Sequence, residues 1–166
     1  MSNGLEASWY HHFNRAVAAQ RPAAWLFSRT FPSIDPWFYR LTGGRSTLAG
    51  ALMGLPVIML TTTGAKSGLQ RSVPLIGIPD GEKIVVIASN WGKKPFPSWY
   101  LNLRANPNVQ VTTRGETRDY LAEEAAGETY ETYWKKAVSL YGGYEAYKRR
   151  TGGRRIPVIV LKPAPA

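Results

Sequence analysis

The chain has no cysteine and only two histidines, His11 and His12, in 166 residues. Without a thiol there is no disulfide, no thiolate nucleophile and no cysteine-ligated metal. The two imidazoles are sequence neighbours near the N-terminus, so they do not share one face and read as surface groups. Neither a Ser-His-Asp arrangement nor a zinc cluster has its parts. Acidic residues are scarce too, 11 against 21 Lys and Arg, and the net charge is +10. That excess selects an acidic partner: nucleic acid, an anionic membrane or a small polyanion. No apolar run reaches the length of a membrane span and no basic-then-apolar leader is present, so a cytoplasmic protein is expected. Nucleic-acid binding would need an aromatic platform joined to a basic stripe, and no helix-turn-helix or RNA-binding signature is present, so no nucleic acid is expected as partner.

What is present is enough apolar material, 44% of residues, for one good core. Residues 1–50 differ in character from the rest and read as an N-terminal helical arm. There Leu5, Trp9, Phe13 and Val17 recur every four residues. Further along, Trp25, Phe27, Phe31, Trp37, Phe38 and Tyr39 interleave with Arg21, Arg29 and Arg40. Such a mixture suits a lipid headgroup layer, or equally caps a core. Residues 51–166 read as a single domain.

In that domain LPVIMLTTT, QRSVPLIGI and KIVVIAS read as successive strands, with Pro79 to Lys83 as a turn and Pro74 marking an edge or bulge. Ser98 is expected to cap a short helix, SWYLNLRA, that stops before Asn106-Pro107. Two more strands, NVQVTTR and ETRDYLAEEA, meet at Gly115-Glu116, and RIPVIVLKP is the last. A helix beginning near Glu128 carries Tyr130, Tyr133, Trp134, Ala137, Val138 and Tyr141 at helical spacing, and Gly142-Gly143 ends it. A short helix with Tyr144 and Tyr147 follows. Five or six strands with helices inserted late indicate an α+β protein built on a small antiparallel barrel.

Leu60 to Pro74, LTTTGAKSGLQRSVP, places Lys66, Arg71, two glycines and several hydroxyls between two strands. A turn of this make-up holds an anion, or is simply a solvated basic hairpin tip. The phosphate-loop pattern G-x-x-x-x-G-K fails because Ala65 separates Gly64 from Lys66, and G-x-G-x-x-G is missing from this turn. Three further segments carry more chemistry than packing requires. Ala88 to Pro97 offers Ser89, Asn90 and Gly92 beside Lys93 and Lys94. SWYLNL offers Trp99, Tyr100 and Asn102, and SLYGGYEAY offers Tyr141, Tyr144 and Tyr147, three residues apart.

In this order LTTTGAKSGLQRSVPL, IASNWG, PSWYLNLRANPNVQV, YGGYEAY and IPVIVLKP resemble the deazaflavin-dependent nitroreductase and quinone reductase family of actinobacteria, from Leu55 to Pro163. The resemblance implies a split β-barrel like that of flavin-mononucleotide-binding proteins, and reduced coenzyme F-420 as hydride donor to quinones, nitroaromatics or other electron-poor acceptors. By motif position it places Ala65, Lys66 and Ser67 at the coenzyme's phosphate or oligoglutamate tail. Arg71, Ser72, Val73, Pro74, Leu75 and Ile76 line the same side. Ile87, Ala88, Ser89 and Asn90 contact the deazaflavin, with Ser98, Trp99, Tyr100, Leu101 and Asn102 below it. Tyr144 then lies at the ring and substrate, and Tyr141 and Tyr147 in the substrate pocket. The family's Ser-Lys-Gly-Gly is Ser89-Asn90-Trp91-Gly92 here, which removes a cation and adds Trp91 as a group that narrows the pocket.

Hydride transfer needs donor and acceptor held face to face and a hydrogen bond for the charge that develops on the acceptor. The resemblance gives that role to Tyr144 with Ser89. Two alternatives stand beside it: a flavin-mononucleotide-dependent reductase of the same fold, and a non-enzymatic basic module binding membrane or nucleic acid. Peripheral membrane contact through the arm is compatible with the main reading.

Overall fold

The computed structural model describes residues 54–165, so the N-terminal arm lies outside the described residues. The first strand, β1 (Val57–Thr63), alternates as its sequence does, with Ile58, Leu60 and Thr62 inward. It pairs antiparallel with β2 (Gln70–Ile76), from Thr63 opposite Gln70 to Val57 opposite Ile76. Strand β2 is an edge of the sheet, which is where Pro74, having no N–H, is tolerated.

The stretch QRSVPLIGI is two strands rather than one. Gly77 breaks it, donating its N–H to Pro56 O at 3.0 Å, and the chain enters β3 (Ile78–Asp80), which pairs with β4 (Lys83–Ile87). A Cβ on Gly77 would stand 2.6 Å from Ile58 Cγ2 and 3.1 Å from Ile84 Cγ2, so only glycine fits the crossing. With β5 (Asn108–Thr113), β6 (Glu116–Glu124) and β7 (Val158–Pro163), the order is β2-β1-β5-β6-β7-β4-β3. The two edge strands are thus neighbours in sequence, joined through one residue. A seven-stranded sheet meets that condition only by curling round, and the result is a split β-barrel, two strands richer than the lower sequence count. The β5–β6 connection is Arg114-Gly115, at φ 51° and 84°, and Glu116 already pairs with Thr113. That is the left-handed two-residue hairpin turn, shifted one residue from the expected Gly115-Glu116.

Helix α1 (Ser98–Ala105) closes one end of the barrel. Its N-cap is Pro97, and Ser98 is the first helical residue and makes no capping bond. Trp99, Tyr100 and Leu103 join Leu60, Val86, Ala88, Val111 and Leu161 inside the barrel. Helices α2 (Gly127–Leu140) and α3 (Gly143–Arg150) cover the other face of β4 and β7, where Val85, Ile87, Val158 and Val160 form a second core with Tyr130, Trp134 and Ala137. Each large side chain fully buried there contributes about 1.5–3 kcal/mol. Helix α2 is also tied to the β3–β4 hairpin. Tyr133 donates to Asp80 Oδ2 at 2.7 Å, and Lys136 Nζ donates to Asp80 Oδ1 at 2.8 Å and Pro79 O at 2.9 Å.

Candidate active site

The Lys66 turn is held from inside the barrel. Gly64 N–H donates to Leu69 O and Gly68 N–H to Gly64 O, both at 2.8 Å, and Gly68 adopts φ +69°. A Cβ on Gly64 would stand 2.6 Å from Ser67 Oγ. Asn102, buried on α1, donates its amide N–H to Thr62 Oγ1 at 3.1 Å and accepts from Ala65 N–H at 3.0 Å. Both ends of that amide are therefore committed to the turn. Lys66, Ser67 and Arg71 stand exposed on this fixed base, with Arg71 Nε 3.8 Å from the Gly64 Cβ direction. Neither Lys66 nor Arg71 has a carboxylate within ion-pair distance among the described residues. Ser72 Oγ is shared with Thr61 Oγ1 at 2.7 Å.

After β4 the chain makes an unusual turn. Asn90, Trp91 and Gly92 follow one another at φ 49°, 59° and 78°. Left-handed geometry at two successive non-glycine residues costs about 1–2 kcal/mol for each, less for asparagine. Several bonds hold it: Gly92 N–H to Ser89 O and Lys93 N–H to Asn90 O, both 3.0 Å, and Asn90 Nδ2 to Pro95 O at 2.9 Å. From the α3–β7 connection Arg154 Nη2 donates to Lys93 O at 3.0 Å and to Ser89 O at 3.4 Å, while its guanidinium lies 4.5 Å from the Phe96 ring centre. Burial holds the Arg154 pKa below its ordinary value. Gly92 packs on α3 so closely that a Cβ would come 3.0 Å from Tyr147 Cα and from Arg150 Cβ.

The three tyrosines meet although the helix between them is broken. Tyr141 ends α2 in an extended conformation, and α3 folds back so that the Tyr141 ring covers Gly143. A Cβ on Gly143 would lie 2.2–2.5 Å from that ring. The ring centres are then 5.3 Å apart for Tyr141 and Tyr144, 6.0 Å for Tyr141 and Tyr147, and 6.2 Å for Tyr144 and Tyr147. Tyr141 and Tyr147 share a hydroxyl–hydroxyl hydrogen bond of 2.9 Å. The Tyr144 hydroxyl has no hydrogen-bond partner among the described residues, and desolvation pushes its pKa above the usual tyrosine value, as it does for Tyr147 and Tyr141. All three phenols stay protonated at neutral pH.

Of the residues chosen from the sequence, Ile76, Ile87, Trp91, Tyr141, Tyr144 and Tyr147 share one apolar cluster. Trp91 is half-buried, edge-on to Tyr147 with ring centres 6.1 Å apart. Val73, Leu75, Ala88, Trp99 and Tyr100 belong to the barrel core instead, and Ser98 and Leu101 are exposed. Pro74 is half-buried on the free edge, and Ser89 is buried. The sequence reading passed over Arg154, and it counted Thr62 among the turn's hydroxyl donors, whereas the structure buries Thr62 as the acceptor for Asn102. No signal in the sequence marked Arg154, because its partners Ser89 O and Lys93 O lie 65 and 61 residues away in the chain. A separate open cavity of about 400 Å³, lined by Thr61, Thr63, Gln70, Gln110 and Asp119 among others, involves none of the chosen residues.

The F420H(2)-dependent quinone reductase family matches residues 33–163. The chain belongs to this family. A putative F420H(2)-dependent quinone reductase of Mycobacterium tuberculosis is 31% identical over 115 residues, 69% of this chain and 96% of that protein. An F420H(2)-dependent quinone reductase of the same species is 33% identical over 127 residues, covering 74% and 83%. Among solved structures, an F420-H2 dependent reductase is 42% identical, with a TM-score of 0.60 over 64% of this chain and 94% of that one. A chain described as a domain-swapped dimer is 35% identical, with a TM-score of 0.62 over 86% and 100%.

Proposed function

We propose that this protein is a reductase that passes a hydride from reduced coenzyme F-420 to a quinone, as the family's name describes. The observation that carries the reading is the Tyr144 hydroxyl, an un-ionised phenol with no hydrogen-bond partner among the described residues, in the cluster that also holds Ile76, Ile87 and Trp91. The residues present fit the coenzyme. Lys66 and Arg71, exposed and with no carboxylate partner among the described residues, suit its phosphate and glutamyl groups, and the free edge of β2 offers main-chain groups to a flat heterocycle. Ala65 and Ser67 belong to the same turn.

When bound, the reduced deazaflavin supplies the hydride. The chain's own part is to hold, orient and donate. Lys66 and Arg71 anchor the acidic tail, and the apolar faces of Ile76 and Ile87 exclude water beside the ring. Tyr144 donates a hydrogen bond to the acceptor oxygen on which charge develops, with Ser89 as second donor. Trp91, Tyr141 and Tyr147 bound the acceptor. Nitroaromatic reduction and contact of the aromatic arm with the inner face of the cell membrane belong to the same proposal. The test mixes the protein with reduced coenzyme and a panel of quinones and nitro compounds, following coenzyme oxidation by absorbance. Oxidation with quinones together with no uptake of flavin mononucleotide supports the reading; flavin uptake without deazaflavin binding sinks it.

A further inference from the structure

The turn Ser89–Lys93 carries two groups proposed for the acceptor end, yet its backbone is the least relaxed stretch of the barrel. Asn90 and Trp91 both sit at positive φ, and the residue that joins the turn to the rest of the fold comes from far along the chain. Arg154 grips it at both ends, donating to Ser89 O and Lys93 O. A third bond, Nη1 to Arg155 O at 3.4 Å, ties the same guanidinium to its own connector, and the Phe96 ring supports it from the side at 4.5 Å. Thr151 Oγ1 fixes that connector in turn, its one hydroxyl proton shared between Lys148 O at 2.8 Å and Arg154 O at 2.9 Å. No carboxylate pairs with Arg154 among the described residues, and its Nε is buried without a hydrogen-bond partner there. A cation placed among carbonyls in this way does little as half of an ion pair. Nη2 meets both turn carbonyls while Nη1 holds Arg155 O, so the planar guanidinium ties the turn to its own connector through two nitrogens in fixed geometry, where a lysine ammonium offers a single one.

We infer that Arg154 is the positioning residue that keeps the Ser89–Lys93 turn left-handed and so sets where Ser89 and Trp91 stand for the acceptor. The inference rests on the reductase reading for its catalytic consequence, whereas its structural half stands alone. Helix α3 and the turn are already packed through Gly92 and Tyr147, so a loosened turn moves the donor groups relative to the tyrosines without disturbing the Lys66 turn on the opposite sheet edge.

The test compares Arg154→Met, Arg154→Lys and, should the methionine variant fold poorly by thermal melt, Phe96→Leu, which removes the support under the guanidinium. In protein without coenzyme, amide hydrogen exchange over residues 88–97 is expected to quicken about tenfold in Arg154→Met, with β1, β5 and β6 unchanged. Unchanged exchange in that segment overturns the inference. With reduced coenzyme and a quinone, turnover is expected to fall about tenfold while the coenzyme dissociation constant, read from deazaflavin fluorescence, stays within about twofold. Arg154→Lys is expected to recover little of either property; full recovery of turnover with exchange still fast overturns the inference, because charge alone would then suffice. A wild-type protein that oxidises no reduced coenzyme sinks the reductase reading, and the exchange experiment still decides the role of Arg154.

Discussion

At the scale of single residues, the proposed function assigns Tyr144 to chemistry and Asn102 to support. Tyr144→Phe removes a hydroxyl that makes no hydrogen bond among the described residues, so folding at neutral pH should be unaffected while turnover falls about tenfold to a hundredfold. Stopped-flow reduction against a coenzyme titration checks this; equal losses in rate and coenzyme affinity would contradict it. The same variant bears on pH. Burial raises the folded-state pKa of Tyr144 above the ordinary tyrosine value of 10.0, so its contribution to stability is complete below that value. It is lost as pH rises, because the unfolded chain releases its proton first. Melting temperatures measured from pH 8 to 11 should fall less steeply in Tyr144→Phe than in wild type. Asn102→Ala leaves Thr62 Oγ1 and Ala65 N–H without their amide, and should cost about 1–3 kcal/mol for the buried groups. It should also weaken coenzyme binding although Asn102 need not touch the coenzyme, a split visible by chemical denaturation beside fluorescence titration. The sequence marked Asn102 as interesting but could not say that its amide would be taken up by a turn 37 residues away, since that pairing exists only once α1 lies under β1.

Among the elements, glycines decide the joints. Gly77 lets the chain pass from one sheet edge to the other, Gly143 admits the Tyr141 ring, and Gly92 brings the turn after β4 against α3. Gly92→Ala forces a Cβ at φ +78° to within 3.0 Å of Tyr147 Cα, and should destabilise the protein by about 1–3 kcal/mol with a selective loss of quinone turnover. Calorimetry and steady-state assays test that; a stable variant with full activity would contradict the packing of turn on helix. Strands were legible in the sequence because β1 alternates inward and outward, and α2 because Tyr130, Trp134 and Ala137 recur on one face. The division at Gly77, the cap at Pro97 and the hairpin at Arg114-Gly115 were not. Each depends on contacts or backbone angles that local composition does not fix.

For the whole molecule, the charge of +10 is the property with the widest reach. Replacing Lys66 and Arg71 together with glutamine should weaken coenzyme binding, and the difference from wild type should be larger at low salt, where screening is small. Fluorescence titrations at two ionic strengths check it; a salt-independent difference would mean that the cations act by packing. Among the described residues no helix is long and apolar enough to cross a membrane. Liposome co-sedimentation of the full chain against one starting near Leu48 tests the proposed role of the arm, with loss of binding expected for the shorter chain. Composition by itself determined the exclusions, since a chain without cysteine and with two adjacent histidines lacks the parts for thiolate or zinc chemistry. The ordered motifs determined the family, because residue type and spacing persist where contacts cannot be read. Tertiary structure decided which of the marked residues gather in the tyrosine cluster and which fill the barrel. It also decided that Tyr141 and Tyr147 satisfy each other while Tyr144 has no hydroxyl partner among the described residues, and that Arg154 grips the turn at Ser89. These are meetings of residues distant in sequence, created only when the sheet curls and α3 folds back.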